Sequence, residues 1–367
     1  FDGKSAAICG TAKGRSTLSM TETIKIALDV MGGDHGPSTV LAGAELSRKR
    51  YPEIRYILHG EADAVLPELE KYDRLKAESE FRPCDVSIAM DEKPSQALRH
   101  GRRVSGMWKA LEDVKDGDAA VMVSAGNTGA LMALAKMILK PLAGIHRPAI
   151  ASIFPTMKGE TIMLDLGANV LADAENLVQF AVLGAVFAKT HKNIATPSVG
   201  LLNVGSEEMK GPEHVRGAAA ILAEVPFPGK YYGFVEGDDI TKGTVDVVVS
   251  DGYAGNIALK AAEGVGKLTN SMFKKHVTGD ALGILGSLIS YFALKRFKSS
   301  VDPRRYNGGV FLGLNGLCVK SHGGCDPLAF SAALNAAAEL ARNDYVSQVA
   351  KEINTLMEQE TLLSQDL

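Results

Sequence analysis

The sequence predicts an α/β fold in which a mostly parallel β-sheet is covered by helices on both faces. Short strand-like segments alternate with longer amphipathic segments along most of the chain. Val247, Val248 and Val249 form a β-branched run, which is typical of a strand buried on both faces. Five strand-like segments end in Asp, Ser or Asn followed closely by glycine, which is turn chemistry.

The predicted elements follow one another through the chain. Strands are expected at residues 24–30, 55–60, 85–90, 119–123, 149–154, 161–166, 199–204, 231–235 and 245–250, with a glycine-rich pair in 308–319. Helices are expected at residues 39–49, 62–75, 95–114, 127–139, 175–190, 213–224, 257–276, 281–297 and 326–343. Lys158 and Gly159 have the chemistry of a hairpin turn between the fifth and sixth strands.

Composition limits the classes of function. The chain has 367 residues, a net charge of -3 and 6% aromatic residues, which weighs against a nucleic-acid-binding protein. The cysteines Cys9, Cys84, Cys318 and Cys325 form no C-x-x-C pair, so a zinc site is not expected. Ordinary reduced thiols, and hence a cytoplasmic protein, fit this usage best.

The chain is expected to contain one α/β domain at residues 20–349 and a tail at 350–367. Residues 1–19 contain Ser, Gly, Lys and Arg without the apolar core of a secretory signal. They predict a disordered extension upstream of Met20. Within the domain, residues 257–305 are expected to form a helical hairpin.

The polar loops after the strands are the strongest indication of a site. They occur in the segments 24–36, 119–129, 161–169, 199–211 and 245–260. Any one of these is equally typical of an ordinary βα connection. However, ligands of open α/β sheets bind at the carboxyl ends of strands, and helix N-termini there attract anions. We therefore expect the loops to meet at one sheet edge and to form an anion-binding site.

Two basic regions leave alternatives open. Residues 281–297 contain an apolar run of about 14 residues, too short to span a bilayer, flanked by basic residues from Lys274 to Arg305. This segment fits a membrane interface, an acyl chain, a partner, a second subunit or a buried hairpin. Arg99, Arg102 and Arg103 indicate either a solvated helix face or a surface that binds phosphate or a partner.

Common nucleotide and hydrolase signatures are missing from the sequence. It has no G-x-G-x-x-G after a first strand and no G-x-x-x-x-G-K-[ST]. It also has no G-x-S-x-G elbow. These observations weigh against a dinucleotide enzyme, a P-loop nucleotidase and a serine hydrolase.

Seven sequence blocks occur in order along the chain: DVMGGDHGP (29–37), SAGNTGA (124–130), RPAIA (147–151), LDLGANV (164–170), LLNVGSEEMKG (201–211), VSDGYAGNIALK (249–260) and KSHGGCD (320–326). Taken together, they resemble the bacterial phosphate acyltransferase family, which makes acyl phosphate for phospholipid synthesis. The resemblance implies a three-layer αβα sandwich, similar to phosphotransacetylase and isopropylmalate dehydrogenase-like folds, with a protruding helical hairpin. It also implies a homodimer, acyl carrier protein as partner, peripheral membrane contact and a downstream glycerol-3-phosphate acyltransferase.

The resemblance also implies the residues of the site. It assigns catalysis to Lys210 and Asn256. The further residues expected to bind substrate or phosphate are Gly32, Gly33, Asp34, His35, Ser124, Gly126, Asn127, Thr128, Asn169, Asn203, Gly205, Glu207, Asp251, Gly252 and His322. Neither a metal nor a cofactor is expected, because Asp29, Asp165 and Asp251 do not cluster locally in the sequence.

The implied reaction is transfer of a fatty acyl group from a thioester of acyl carrier protein to inorganic phosphate. Phosphate is then the nucleophile, so an acyl-enzyme intermediate is unnecessary, in agreement with the missing serine elbow. Three alternatives remain at this point: a short-chain phosphotransacetylase that uses acyl-CoA, a decarboxylating dehydrogenase, and a membrane-associated scaffold without catalysis.

Overall fold

The structure is a computed structural model that describes residues 23–277, 279–300 and 302–365. Cys9 and the predicted extension at 1–19 lie outside the described residues. The strands are β1 (Ile24–Asp29), β2 (Ile54–Gly60), β3 (Ser79–Pro83), β4 (Val121–Ser124), β5 (Ala149–Thr156), β6 (Gly159–Leu164), β7 (Ser198–Leu202), β8 (Lys230–Val235), β9 (Val247–Val249), β10 (Gly309–Leu312) and β11 (Leu317–Lys320).

Helices cover this sheet and extend from it. They are α1 (Pro37–Arg50), α2 (Ala62–Leu69), α3 (Asp73–Ala77), α4 (Pro94–His100), α5 (Gly106–Asp116), α6 (Thr128–Ile138), α7 (Ala174–Lys192), α8 (Glu213–Glu224), α9 (Gly237–Lys242), α10 (Gly252–Val277), α11 (Ala281–Ile289), α12 (Tyr291–Ser300), α13 (Pro327–Arg342) and α14 (Tyr345–Gln365). A 3₁₀ turn, Pro303–Tyr306, precedes β10.

Alternate residues of the central strands enter two separate cores, which makes the fold a three-layer sandwich. In β9, Val247 and Val249 belong to the core that also contains residues of α7 and α13, whereas Val248 belongs to the core on the opposite face, which also contains residues of α5 and α6. Because side chains of a strand point alternately to either face, such a strand must be apolar at every position. The predicted α/β fold with helices on both faces is therefore confirmed.

The sheet changes direction near its centre. Its strand order is β3-β2-β1-β4-β11-β10-β5-β6-β9-β7-β8. Pairings are parallel from β3 to β11 and again from β6 to β8. Between these parts, β11–β10, β10–β5 and β5–β6 are antiparallel. The hairpin and the glycine-rich strand pair predicted from the sequence are both confirmed, and three reversals make the two halves run in opposite directions.

The predicted strand at residues 85–90 is wrong. Val86 makes only an isolated bridge with Ser105, and the strand beside β2 is β3 instead. β3 is an edge strand of sequence SEFRP, half-exposed and rich in polar residues. It lacks the apolar run by which buried strands are recognised, since one of its edges and much of its surface face solvent.

Several predicted helices are shorter pieces in the structure. Residues 62–75 form α2 and α3, residues 95–114 form α4 and α5, and residues 281–297 form α11 and α12. The break before α5 has a clear cause: Arg103 adopts a left-handed backbone with φ of 62°, and Ser105 caps α5 by accepting a hydrogen bond from the N–H of Trp108. Capping chemistry inside an apparently continuous helical pattern marked this boundary.

The helical hairpin extends from the core, whereas the C-terminal segment packs on it. Most side chains of α10 beyond its first turn are exposed, as are many on α11 and α12. α14 runs through the predicted boundary at 349, and its Tyr345, Val349 and Ile353 are buried against the core that contains α7. The division into a domain and a tail stays a prediction, but the first turns of α14 contribute to the core.

Candidate functional site

The polar loops form two sets because the strands before them run in opposite directions. Loop set A consists of residues 30–36, 125–127 and 321–326, which follow β1, β4 and β11. Loop set B consists of residues 165–173, 203–212 and 250–251, which follow β6, β7 and β9, together with the first turn of α10. Three antiparallel pairings separate the two halves, so the sets leave the sheet at opposite edges. The expectation of one shared edge is wrong.

The loops within each set are close neighbours, since their strands are adjacent in the sheet. β4 and β9 are five strands apart, which corresponds to about 24 Å along the sheet. The residues predicted for the site divide accordingly. Set A with its flanking residues holds Gly32, Gly33, Asp34, His35, Ser124, Gly126, Asn127, Thr128 and His322. Set B holds Asn169, Asn203, Gly205, Glu207, Lys210, Asp251, Gly252 and Asn256.

A row of polar side chains crosses the sheet below loop set A. The register of five neighbouring strands aligns Arg82, His59, Asp29, Ser124 and Lys320, and we call these five the polar row. All but Arg82 are at most 9% exposed. Residues aligned across parallel strands point to the same face, so the row lies on the α5 side of the sheet. It is a buried polar layer within an otherwise apolar sheet.

The polar row is held together by hydrogen bonds. The hydroxyl of Ser124 donates to Oδ2 of Asp29 at 2.7 Å and accepts from the N–H of Gly126 at 2.9 Å. Nε2 of His59 lies 2.6 Å from Oδ2 of Asp113 on α5. Nη1 of Arg82 donates to the other oxygen of Asp113 at 2.6 Å. These bonds connect the carboxyl ends of the strands to α5 and to loop set A.

Lys320 is the buried cation of the polar row. Its ammonium donates to the carbonyl oxygen of Ala125 at 3.2 Å and to that of Ser321. Burial lowers the pKa of Lys320 to about 8, against the opposing charges of Asp29 and Asp34 among others. Burial likewise raises the pKa of Asp29, although the Ser124 hydroxyl and the charges of His59 and Lys320 oppose this shift. Each charge makes the burial of the other less unfavourable.

Close backbone packing explains two of the predicted glycines in loop set A. A Cβ on Gly32 would lie 2.6 Å from the amide nitrogen of Gly126, and one on Gly33 would lie 2.9 Å from the carbonyl oxygen of Gly323. Gly33 also has a φ of 94°, which favours glycine. The N–H of Asp34 donates to the Gly323 carbonyl at 2.9 Å. The loops after β1, β4 and β11 are thereby locked together.

The remaining predicted residues of set A differ in how available they are. Asn127 caps α6 by accepting from the N–H of Ala130, and its amide donates to the carbonyls of Met90 and Glu92. Its polar atoms thus have structural partners. The residues of the set whose side chains are exposed, and which a substrate can reach, are Asp34, His35, Thr128 and His322.

In loop set B, Asp165 organises the turn after β6. It is fully buried and accepts hydrogen bonds from the backbone N–H groups of Ile150, Ala168 and Asn169. The Asn169 amide donates to Asp165 and to the carbonyl of Pro148. Burial raises the pKa of Asp165, and these hydrogen bonds oppose the shift. The Asn169 side chain therefore stabilises the turn, and its amide group already donates to two acceptors.

The loop after β7 closes on itself around Asn203. The Asn203 amide donates to the carbonyls of Gly205 at 3.2 Å and Lys210 at 2.9 Å. Gly211, which follows Lys210, has a φ of 93° and would place a Cβ 1.8 Å from Oδ1 of Asn203. Only glycine fits this position. The closed loop holds the backbone of Lys210 in place and leaves its side chain outside.

Lys210 is a half-exposed cation with one carboxylate partner. Its Nζ lies 2.7 Å from Oε1 of Glu207, and the two side chains are 52% and 62% exposed. The hydrogen bond and charge of Glu207 raise the pKa of Lys210, so it stays protonated at neutral pH. Exposed ion pairs of this kind contribute little to stability. An anion can therefore replace Glu207 at little cost in folding free energy.

The start of α10 packs tightly against the turn after β6. The helix begins at Gly252 and is capped by Asp251, which accepts from the N–H of Ala254 at 2.7 Å. The predicted start near residue 257 is thus wrong by more than a turn. A Cβ on Gly252 would lie 2.6 Å from the Asn169 carbonyl, and one on Gly255 would lie 1.9 Å from that of Asp165. The glycines that suggested a loop are required by helix packing.

Asn256 lies on the exposed side of this first turn. It faces the turn after β6, because a Cβ on Gly167 would lie 3.5 Å from the Asn256 side chain. His214, at the start of α8, approaches Oδ2 of Asp251 to 3.3 Å. Lys210, His214 and Asn256 therefore come from the carboxyl ends of two neighbouring strands, β7 and β9. Sequence analysis missed His214, which has no motif of its own beyond its place after Pro212.

Exposed apolar side chains accompany the polar groups of loop set B. They come from the loops after β6 and β7 and from the first turns of α10, and they are Val170, Leu171, Val204, Met209, Tyr253 and Ile257. Large apolar residues grouped at a surface mark binding sites more often than chance exposure does. Set B thus combines the Lys210 cation, the Asn256 amide and a group of exposed apolar side chains.

Lys320, directly before the last loop of set A, is the main residue there that sequence analysis did not select. It begins the KSHGGCD block, and in the structure it occupies the last position of β11. A usable signal existed: a lysine that directly continues the apolar run LCV must enter the sheet, where it needs a buried partner. Pairing it with Asp29 required the strand order, which the sequence does not give.

The described part of the chain offers neither a ready metal site nor a membrane span. Within residues 23–277, 279–300 and 302–365, no three His, Cys, Asp or Glu side chains are grouped as metal ligands. No helix in these ranges is both long and apolar enough to cross a membrane.

Solved structures of known proteins share the fold. A phosphotransacetylase from Streptococcus pyogenes superposes with a TM-score of 0.58 at 17% identity, covering 87% of this chain and 94% of that one. The EutD phosphotransacetylase from Staphylococcus aureus gives a TM-score of 0.57 at 17% identity, with 88% and 95% covered. At such low identity these matches show the fold alone, and they confirm the predicted fold class.

Sequence relatives are much more similar. A phosphate acyltransferase from Parvibaculum lavamentivorans is 51% identical over 337 residues, which cover 92% of this chain and 93% of the relative. A phosphate acyltransferase from Paramagnetospirillum magneticum is 48% identical over 346 residues, with 94% and 98% covered. The family described as fatty acid synthesis protein matches residues 24–348. The chain is therefore an acyltransferase enzyme and belongs to the phosphate acyltransferase family.

Proposed function

We propose that this enzyme transfers a long-chain fatty acyl group from acyl carrier protein to inorganic phosphate, and that loop set B carries the chemistry. The observation that carries the proposal is the position of Lys210 and Asn256. Both are exposed, both follow neighbouring strands, and both lie among apolar side chains. Phosphate needs the cation, and a fatty thioester needs the apolar surround.

The reaction balances without an acyl-enzyme. A phosphate oxygen attacks the thioester carbonyl carbon, the new C–O bond forms, and the C–S bond breaks. The electron pair of that bond leaves with sulfur, and the proton lost by phosphate ends on the thiol, directly or through solvent. Because a thiolate is a good leaving group, the site needs orientation and oxyanion stabilisation more than acid catalysis.

Lys210 and Asn256 are assigned different parts of this task. Lys210 exchanges Glu207 for phosphate and places it beside the carbonyl, which its exposed pairing permits. Asn256 donates its amide to the carbonyl oxygen as negative charge develops there. Hydrogen bonds to a developing oxyanion are stronger than those to the ground-state carbonyl, so they lower the barrier.

Loop set A is proposed to contact the same substrates from the other half of the molecule. Sheets twist by about 20–25° per strand, so five strands accumulate on the order of 100°, and two carboxyl edges that start out opposed are rotated to roughly a right angle to each other. The exposed groups of set A, Asp34, Thr128 and His322, would then face a donor that extends beyond set B. The glycines of set A keep its loops close together, so that backbone groups can also contact the substrates.

The acyl donor and its surroundings are part of the proposal. Acyl carrier proteins are acidic, so we assign the landing surface to Arg99, Arg102 and Arg103 and to basic residues of α10–α12. The side chains of Lys298 and Arg305 lie outside those that the structure describes.

The hairpin supplies a further apolar surface. Exposed side chains of α11 and α12, such as Leu282, Leu288 and Phe292, support contact with the membrane surface, the acyl chain or the second subunit of a homodimer. A downstream glycerol-3-phosphate acyltransferase would use the product.

The experiment is phosphate-dependent thiol release from a long-chain acyl-carrier thioester, followed with wild type and Lys210→Ala. We expect turnover by wild type and a loss of about a hundredfold or more in kcat/KM for the variant, as for removal of one transition-state donor. Lys242→Ala is the matched control. Lys242 is 51% exposed and bound to Asp238 at 2.6 Å, yet it lies at the end of α9, away from set B.

Other outcomes would change the assignment in defined ways. Turnover of acetyl-CoA without turnover of the acyl-carrier thioester would make the enzyme a short-chain phosphotransacetylase. Wild-type activity in Lys210→Ala would retain the reaction and move phosphate away from set B. If neither thioester reacts with phosphate, the proposed function is wrong. Reduced carrier affinity on charge reversal of Arg99 and Arg102 would test the landing surface separately.

A further inference from the structure

We propose that Lys320 is a positioning residue for the acyl transfer: its buried ammonium fixes the loops after β4 and β11 in the arrangement that turnover requires. The inference goes beyond the proposed roles of Lys210 and Asn256 and rests on the proposed function only for the reaction used as readout. Lys320 does not contact substrate in this role. It acts through the loops that carry Thr128 and His322.

The geometry behind the inference is a bridge between two loops. From the last position of β11, Lys320 donates to the carbonyl of Ala125 after β4 and to that of Ser321 after β11. These two carbonyls belong to the segments that precede α6 and α13. The third loop joins them, because the N–H of Asp34 donates to Gly323. The ammonium thus connects two loops of set A directly, and the third is joined to them through the Gly323 carbonyl.

The bridge depends on charge as well as on shape. An ammonium can be buried only when its charge is compensated, and a backbone carbonyl supplies only part of this compensation. Asp29, two strands away in the polar row, supplies the carboxylate, and Ser124 holds that carboxylate in place. A neutral side chain at residue 320 would fill the space but leave the carbonyls of Ala125 and Ser321 without their donor.

The titration of Lys320 gives the role a distinctive signature. The groups that face it are Asp29 on β1, Asp34 after β1, Cys318 on β11 and Cys325 before α13, and burial lowers its pKa to about 8. As the pH rises through about 8, the ammonium is lost and the bridge weakens, so activity should fall. The pKa in the folded state is below that of the unfolded chain, so this group's contribution to stability improves over the same range.

The opposite pH dependences of activity and of this group's contribution to stability distinguish a positioning role from a purely structural one. A lysine that mattered only for folding would let activity follow stability, and stability from this group rises between the folded and unfolded pKa values. A positioning lysine makes activity fall where its own contribution to stability rises. Arginine keeps its charge throughout the accessible pH range, so Lys320→Arg should move the alkaline decline to higher pH.

The test compares Lys320→Met, Lys320→Arg and the double variant Lys320→Met/Asp29→Asn with wild type, in the intact protein. Kinetics are measured as phosphate-dependent thiol release from whichever thioester the wild type uses. We expect Lys320→Met to lose about tenfold to a hundredfold in kcat/KM, the scale of small misplacements in a site. Lys320→Arg should retain most activity. The double variant removes both charges, so it should fold even where Lys320→Met does not, and it should remain slow.

Lys192→Met is the matched control. Lys192 is also largely buried and also bonds a carbonyl and a carboxylate, those of Glu160 and Asp246, but near the amino ends of β6 and β9. The Lys192→Met variant should change stability without changing kcat/KM of the folded enzyme. Amide hydrogen exchange at residues 125–128 and 321–324 gives a readout without substrate, and should accelerate about tenfold or more in Lys320→Met but not in Lys192→Met.

Each outcome supports or overturns the proposal. Wild-type kcat/KM in folded Lys320→Met or in the double variant overturns it, as does unchanged hydrogen exchange in the two loops. An alkaline decline that is the same in wild type and Lys320→Arg also overturns it. If no thioester reacts with phosphate, the proposed function is wrong, and the exchange measurement alone still decides whether Lys320 holds the loops.

Discussion

Loop sets A and B follow the same sequence pattern, but the side chains at their strand ends differ in burial and in hydrogen-bond partners. In set A, the charged groups at the strand ends are buried: Asp29, Ser124 and Lys320 are satisfied by one another and by nearby backbone. In set B, the strand-end groups proposed for chemistry are exposed, and Lys210 pairs with the exposed carboxylate of Glu207. The buried, satisfied groups form a frame, which in set B includes Asp165, whereas set B also presents exposed groups that can exchange partners.

The difference shows that a polar residue at a strand end is not by itself evidence of contact with substrate. The hydrogen-bond partners of each side chain decide whether it is available to contact substrate. Ser124, Asn127 and Asn169 use their polar atoms to hold turns and caps, whereas Lys210 and Asn256 are exposed and can exchange partners. Variants in the frame should therefore act first on stability, except at Lys320, which is proposed also to position the loops for turnover. Variants in the exposed group should act first on rate.

The largest effect is expected where α10 meets the turn after β6. Gly255→Ala places a Cβ 1.9 Å from the carbonyl oxygen of Asp165 and 2.6 Å from the hydroxyl of Ser250, so backbone must move. We expect a loss of about 3 kcal/mol or more in the free energy of unfolding. Chemical denaturation followed by circular dichroism measures it.

Gly266→Ala in the same helix is the control. Nothing lies within 4 Å of the added Cβ there, so helix propensity should dominate and stabilise the protein by roughly 0.5–1 kcal/mol. Equal destabilisation by the two substitutions would contradict the packing described at the start of α10.

Asn256→Ala should follow in size, but in rate rather than in stability. Loss of the proposed oxyanion donor should lower kcat/KM about a hundredfold, while the melting temperature stays near that of wild type. Steady-state kinetics and thermal denaturation are measured together. Asn354→Ala, at an exposed position of α14, should alter neither. A stability loss as large as the rate loss would place Asn256 in the frame instead.

Ser124→Ala should act in the reverse manner, on stability rather than on rate. It removes the hydrogen bond to Asp29 and the acceptor for the N–H of Gly126, at a cost of about 1–3 kcal/mol. Because burial raises the pKa of Asp29, its ionised form is the costly one. The destabilisation should therefore shrink as the pH is lowered and Asp29 becomes protonated. Denaturation at several pH values tests the sign, and a loss that grows towards acid pH would contradict it.

The smallest effect is expected for Glu207→Gln. The variant removes the carboxylate that competes with phosphate for Lys210, and an exposed pair of this kind contributes little to stability. The KM for phosphate should fall by a factor of about two to five, with stability unchanged. Kinetics at varied phosphate concentration provide the measurement. A large loss of kcat would instead give Glu207 a direct part in the reaction.

Much of the fold followed from local pattern. β-branched and alternating runs located β1, β2, β4, β7 and β9, because strands buried on both faces must be apolar throughout. The edge strand β3 was missed, since its SEFRP sequence faces solvent and carries no such signal. Gly252 was interpreted as part of a turn, because its close packing against Asn169 and Asp165 is invisible without the neighbouring strand.

The division of the site into two sets could not be predicted for a related reason. The β5–β6 hairpin was predicted, yet its consequence depends on how many antiparallel pairings lie between the two halves. That number follows from strand order, which is a long-range property. The partnership of Lys320 with Asp29 has the same origin, since residues far apart in the chain become neighbours only through β4.

The most direct test of the central claim is equilibrium binding of inorganic phosphate to wild type, Lys210→Ala and Lys242→Ala. If loop set B holds phosphate through an exposed cation, Lys210→Ala should bind about tenfold to a hundredfold more weakly, the scale of a charged hydrogen bond. Lys242→Ala should bind as wild type does. Unchanged phosphate affinity in Lys210→Ala would contradict this assignment and move the anion site to loop set A.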